Sequence, residues 1–310
     1  MCGLSGVAGR DLYPMDLDFF KDLLYLSAFR GRDSTGVAAI RTKKNAITLR
    51  KHDVEPGEFI SAYGSKNGYL SDNRCDIMMG HARWATMGLV NEANAHPFET
   101  SKYVGAHNGT LVGARFRDPD KTDSEMLFLE MDQRGIVETL TGLPRASAWA
   151  VSIYDKVTKK LWLGRNDKRT LYVGFDDSAG VMFWSSELEM LHFVMRREGR
   201  ATLSCFSLRP NFLYEINIPD IKRGVHAPWI SHEVPPGTYM PPVSNSSKFF
   251  SSSSLSHWDD IENSYEWDVA AGAYVSKEKK KSKVGMLLDE IEEDIESSRK
   301  EESRQNKLLM

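Results

Sequence analysis

Along the first two-thirds of the chain, apolar residues recur in two rhythms. In residues 15–29, Leu17, Phe20, Leu24 and Ala28 fall at the spacing that lines one face of a helix. Residues 37–40 and 46–49 read as adjoining strands, and residues 76–84 as a buried strand running into a polar loop. Residues 103–106 lead into His107-Asn108-Gly109, a turn signal. Thr122, with Glu125 three residues later, marks a helix start, and that helix continues to Arg134. Strands are predicted at 148–154, 161–163, 171–175 and 181–184, a helix at 187–197 and a closing strand at 212–216. Strands dominate and do not alternate regularly with helices, which argues against a doubly wound parallel sheet.

The pattern changes near residue 220. Pro235-Pro236-Gly237 and Pro241-Pro242 precede a serine-rich run over 244–256. Such a stretch buries too little apolar surface to offset its ordering entropy, so 221–275 reads as a disordered linker. Within it, His257-Trp258-Asp259-Asp260 and Tyr265-Glu266-Trp267-Asp268 mix aromatics with acids, as solvated linker or as a docking motif. Residues 276–310 bring a lysine block, an acidic block, and Leu287, Leu288, Ile291 and Ile295 in one helical stripe. A lone short helix is marginal in water, so this tail is expected to pack on the body, on a partner or on a second copy of itself. The body itself is assigned to 2–220.

Composition narrows the function classes. The chain has 310 residues, 41% hydrophobic and 27% charged, and a formal net charge of −3. Without a basic excess, nucleic acid is not indicated as a partner. No apolar run approaches the ~18 residues of a membrane span. Met1-Cys2-Gly3-Leu4 has neither a basic segment nor a long apolar one, so no secretory leader is expected. Cys2, Cys75 and Cys205 cannot make a disulfide framework, which favours a reducing cytoplasm. The histidines lack metal-ligand spacing with the cysteines, and neither metal nor cofactor is expected.

Candidate chemistry starts at Cys2. Removal of Met1 would leave a cysteine with a free α-amine, a nucleophile and a base on one residue, the amine having a pKa of roughly 7.7–8.0. Small residues follow at Gly3, Ser5, Gly6, Ala8 and Gly9. Four polar stretches come later: 30–36 (RGRDSTG), 80–88 (GHARWATMG), 91–98 (NEANAHPF) and 107–110 (HNGT). Alone, Arg83 could be a surface cation, Asp123 a first-turn acid, and His81 and His96 loop supports.

In order and spacing, these motifs together with Cys2 resemble the class II glutamine amidotransferase domain, the glutaminase module of glucosamine-6-phosphate synthase and of glutamine phosphoribosylpyrophosphate amidotransferase. The resemblance runs from Cys2 to about Ile216. It implies the α+β, four-layer αββα sandwich of N-terminal nucleophile hydrolases, here followed by the linker and helical tail. It implies L-glutamine as substrate and Cys2 as the nucleophile that forms a thioester. The Asn108 side chain and the Gly109 N–H would form the oxyanion hole. Arg83 would take the glutamine α-carboxylate and Asp123 its α-ammonium, while Trp84 and Thr86 would lie on a closing loop. Arg30, Asp33, Ser34 and His96 would support the nucleophile loop. The sugar-phosphate branch commonly has histidine where this chain has Met87, which weakens assignment to that branch.

Residues after about 220 show no phosphosugar, phosphoribosyl or adenylating signature, so the ammonia acceptor is expected on a separate synthase or transferase polypeptide. Two other readings remain at this level. One is an amidase acting on a non-glutamine amide, against which Arg83 and Asp123 speak. The other is a catalytically idle scaffold working through its tail.

Overall fold

A computed structural model describes residues 2–10, 12–85, 88–200, 203–222 and 229–237, and the backbone of 265–268 and 273–276. The serine-rich run 244–256 and the charged tail from 277 onward lie outside these residues, as do Thr86 and Met87.

The chain runs through β1 (Gly3–Gly9), α1 (Pro14–Leu26), β2 (Ser34–Arg41), β3 (Ala46–His52), α2 (Pro56–Tyr63), β4 (Ile77–Arg83), β5 (Phe98–Glu99) and β6 (Tyr103–Thr110). It continues with α3 (Asp123–Arg134), α4 (Ile136–Thr141), β7 (Ala148–Asp155), β8 (Lys160–Arg165), β9 (Tyr172–Asp176), β10 (Val181–Ser185) and α5 (Leu188–Arg197). β11 (Leu203–Ser207), β12 (Phe212–Asn217), β13 (Trp229–Glu233), β14 (Tyr265–Asp268) and β15 (Ala273–Ser276) complete the described elements. One antiparallel sheet has the order β11-β9-β10-β1-β4-β2-β3, a second has β13-β12-β8-β7-β6-β5, and β14 pairs only with β15.

Strand alternation builds the layers. On the first sheet, Val7, Val37, Ala39, Met78 and Phe183 face α1, α2 and α5, packing on Leu17, Phe20, Phe59 and Leu191. Their strand neighbours Leu4, Ala8, Ala38, Ile40, Met79 and Trp184 face the other way, where Val104, Ala106, Ala150, Tyr154 and Leu163 of the second sheet meet them. The far face of that sheet offers Val151, Ile153 and Leu213 to Leu127, Phe128, Met131 and Leu140 of α3 and α4. Two antiparallel sheets between helical layers make the αββα sandwich. Both faces of both sheets are covered, which explains why central strands such as β1 are buried at every position.

Thr122 caps α3 as its sequence suggests, its hydroxyl accepting from the Glu125 N–H at 3.1 Å. The turn expected at His107-Asn108-Gly109 is not a turn. These residues continue β6, with Asn108 opposite Ala150 and Gly109 opposite Trp149. Asn-Gly favours a hairpin only when the chain reverses there, and here a full partner strand holds it extended. The body also continues beyond residue 220. β13 pairs with β12 from Ile216↔Trp229 to Phe212↔Glu233, and Val234 is buried under the α3–α4 layer. β13, β14 and β15 thus fall within or beside the stretch expected as linker.

Candidate active site

Cys2 immediately precedes β1, so the central strand of the first sheet fixes where its backbone starts. Its carbonyl oxygen accepts two side-chain hydrogen bonds, from Arg30 Nε at 2.7 Å and from Asn108 Nδ2 at 2.9 Å. The thiol lies against the end of β4, where the Trp84 N–H donates to Sγ at 3.3 Å and Sγ approaches the Trp84 carbonyl at 3.5 Å. Burial lifts the Cys2 thiol above its ordinary value, against the pull of the Trp84 N–H and of the Arg30 and Arg83 cations. The neutral thiol is therefore the resting form, and a nucleophilic role needs a base.

Asn108 is buried between the sheets and uses both ends of its amide. Nδ2 donates to the Cys2 carbonyl and, at 2.9 Å, to Ser186 Oγ. Oδ1 lies 3.0 Å from His81 Nε2. Both amide hydrogens are thus engaged, and donation to an oxyanion requires one to be shared or handed over. Gly109 has φ +155°, and a Cβ there would stand 1.9 Å from the Ala148 carbonyl oxygen, so only glycine fits this close approach.

Arg30 links Cys2 to a partly buried carboxylate. Its guanidinium pairs with Glu187, just before α5, and burial lowers Arg30 to about 10. Asp33 holds the loop after β4 from both directions: its N–H donates to the Arg83 carbonyl at 3.0 Å and its carboxylate accepts from the Ala85 N–H at 2.6 Å. Gly31 lets the loops run together, since a Cβ there would meet the Arg83 carbonyl carbon at 2.4 Å.

Arg83 is buried, and one of its donors reaches the Leu89 carbonyl at 3.1 Å. Desolvation lowers its pKa, opposed by the Asp33 and Asp123 carboxylates. Asp123 opens α3, where one carboxylate oxygen accepts the Leu111 N–H at 2.8 Å. An acid at a helix N-terminus also faces the positive end of the helix dipole. The Trp84 side chain is 52% exposed although its backbone grips the thiol, so the ring stands at the rim.

Other expected residues sit further back. Ser34 pairs with Arg83 in the β2–β4 ladder, and its buried hydroxyl makes no hydrogen bond. His96 packs its ring on His81 at 4.1 Å and on Phe98 at 4.6 Å, one layer behind Asn108. Thr86 lies outside the described residues. Ser186 and Glu187 were not picked out by motif. Ser186 Oγ accepts from the Leu4 N–H at 2.8 Å as well as from Asn108, tying β1 to the second sheet. Their sequence signal is faint: Ser185-Ser186-Glu187 is a polar break between the apolar end of β10 and an amphipathic helix. Among the described residues, no group of histidine, cysteine or carboxylate side chains is placed to hold a metal ion. Nor is any described helix long and apolar enough to cross a membrane.

The fold is that of the N-terminal nucleophile amidotransferases, and the chain resembles the class II glutamine amidotransferase domain. No family model matches the chain. It is similar to glutamine–fructose-6-phosphate aminotransferase (isomerizing) of Aquifex aeolicus, 32% identical over 173 residues that make up 49% of this chain and 27% of that protein. The enzyme of the same name from Mesorhizobium japonicum is 30% identical over 208 residues, 60% of this chain and 32% of the relative. The chain thus spans about a third or less of these relatives' length. Among solved structures, glutamine phosphoribosylpyrophosphate amidotransferase from B. subtilis superposes with a TM-score of 0.56 at 20% identity, over 76% of this chain and 49% of that one. At that identity the superposition speaks for the fold.

Proposed function

We propose that the chain is a glutaminase that hydrolyses L-glutamine to glutamate and ammonia through a thioester on Cys2, and that the ammonia passes to an acceptor enzyme on a partner polypeptide. The observation that carries this reading is the clasp on Cys2: Arg30 and Asn108 on its carbonyl and the Trp84 N–H on its sulfur fix one nucleophile between an amide donor and the buried Arg83 cation.

In this reading, Met1 is removed and the exposed α-amine of Cys2 takes the thiol proton as Sγ attacks the γ-amide carbon. The tetrahedral oxyanion draws on Asn108 Nδ2 and the Gly109 N–H. The carbon–nitrogen bond then breaks, and the α-amine returns its proton to the leaving nitrogen, which departs as ammonia. Water, deprotonated by the same amine, cleaves the thioester, releasing glutamate and restoring the thiol. Arg83 takes the α-carboxylate through its planar fork, and Asp123 takes the α-ammonium. Trp84, with the loop that carries Thr86, covers the substrate and limits loss of ammonia. The acceptor step draws its support from the relatives, which are named for transferring the amino group of glutamine to fructose 6-phosphate.

The test is a glutaminase assay with intact-mass analysis of the N-terminus. Protein beginning at Cys2 should release glutamate and ammonia, and Cys2→Ala should lower turnover by about 10³-fold or more. Undiminished turnover in Cys2→Ala, or full activity with Met1 retained, would overturn the mechanism. Ammonia release that rises when a co-purifying acceptor enzyme is added supports the partner step, whereas activity indifferent to every co-purifying protein opposes it.

A further inference from the structure

His81 lies on β4 of the first sheet and Asn108 on β6 of the second, and their side chains meet in the buried space between the sheets. The bond chemistry at Asn108 has one consistent assignment. The Cys2 carbonyl oxygen can only accept, so the amide atom 2.9 Å from it is the nitrogen. The amide oxygen therefore faces His81, and at 3.0 Å it needs a donor there. That donor is Nε2–H. A flipped amide would set oxygen against oxygen at Cys2, a contact that no hydrogen can bridge. Two supports hold the His81 ring: its position within a paired strand, opposite Leu4 and Gly36, and the His96 ring packed on it at 4.1 Å. Burial keeps His81 neutral, its pKa pushed down to about 3, so the ring has one N–H to give and does not titrate near neutral pH.

We propose that His81 is a positioning residue for the reaction: its Nε2–H locks the Asn108 amide in the orientation that turns Nδ2 toward Cys2. This rests on the glutaminase reading above. The His81 ring bonds to the Asn108 amide, and its effect runs through Asn108. Without it, Oδ1 loses its partner and the amide gains a rotational freedom that misaligns the oxyanion donor.

The experiment compares His81→Leu, His81→Gln, Asn108→Ala and the His81→Leu/Asn108→Ala double variant, each checked for a native circular dichroism spectrum. His81→Leu should lower kcat for glutamine by about 100-fold while changing KM by less than about threefold. His81→Gln, which restores an amide donor, should recover at least about tenfold of that loss. The double variant should be no slower than Asn108→Ala within about threefold, because the two residues act as one unit. In ¹⁵N-histidine-labelled protein, the His81 ring should show the neutral Nε2–H tautomer across pH 5–8. A folded His81→Leu protein with undiminished kcat, additive losses in the double variant, or an Nδ1–H tautomer would each overturn the proposal. If wild-type protein shows no Cys2-dependent glutaminase activity, the substrate reading falls by itself, and the tautomer measurement still decides the His81–Asn108 bond.

Discussion

Asn108 Nδ2 donates to the Cys2 carbonyl oxygen across 2.9 Å, although 106 positions separate the two residues in the chain. The bond joins the start of one sheet's central strand to the interior of the other sheet, and it links Cys2, the proposed nucleophile, directly to the candidate oxyanion donor. Its removal should be read out in chemistry more than in binding. Asn108→Ala is expected to lower glutaminase kcat by about 10²–10³-fold, the usual cost of one oxyanion donor, with KM for glutamine nearly unchanged. Steady-state kinetics on folded variant protein provides the check, and a KM effect without a kcat effect would place Asn108 in substrate binding instead.

Gly109 tests the same strand by crowding. A Cβ at this position would lie 1.9 Å from the Ala148 carbonyl oxygen and 2.5 Å from His107 Nε2, and the backbone φ of +155° disfavours any L side chain. Gly109→Ala should therefore push β6 from β7, costing roughly 1–3 kcal/mol or more and displacing Asn108 with it. Urea denaturation should show the lower midpoint, and glutaminase activity should fall further than the unfolded fraction accounts for.

In the Arg30–Glu187 pair the arginine is buried and the carboxylate partly so, and Arg30 also holds the Cys2 carbonyl. Breaking one half strands a charge. Glu187→Gln should cost about 1.5–3 kcal/mol, because the buried Arg30 cation exchanges a charged hydrogen-bond partner for a neutral one. For a body of this size that corresponds to a Tm lower by roughly 5 °C. Calorimetry of Glu187→Gln against an Arg30→Met/Glu187→Leu double variant separates charge from shape: the double variant should regain much of the lost stability while remaining impaired in activity.

The buried histidines make stability pH-dependent. Burial depresses His81 to about 3 and His107 to about 4, and pushes His96 well below its ordinary 6.5. In the unfolded chain these rings protonate near pH 6.5, while in the folded protein they resist it. The unfolded state then binds more protons as pH falls, so stability is greatest above about pH 6.5 and is lost progressively down to about pH 3. Urea midpoints across this window should decline, and His107→Gln should flatten the decline. An unchanged slope in that variant would mean the acid sensitivity lies elsewhere.

Much of the element pattern was legible in the chain. The helical stripe of Leu17, Phe20 and Leu24, the Thr122 cap and the apolar runs of β7, β9 and β10 all reflect interactions within a few residues, which local sequence specifies. The short β5, α2 and α4, and the edge strands β11 and β13, were not legible. Each lacks a sustained apolar run or clear periodicity of its own.

Sequence order by itself determined the chemical inventory: a cysteine at position 2, the polar stretches with Arg30, Asp33, Arg83 and Asn108, and Asp123 one residue after a cap. It could not determine their convergence. Asn108-Gly109 carried the local signature of a turn, and only pairing with Ala150 and Trp149 made it strand and turned Asn108 inward. Ser186 and Glu187 carried no motif, yet the β1–β10 pairing ends beside them and puts one on Asn108 and the other on Arg30. The physical reason is common to these cases. Side-chain type and spacing are local properties, whereas partner choice in antiparallel sheets is settled by contacts between strands up to 180 or so residues apart, as between Leu4 and Ser186.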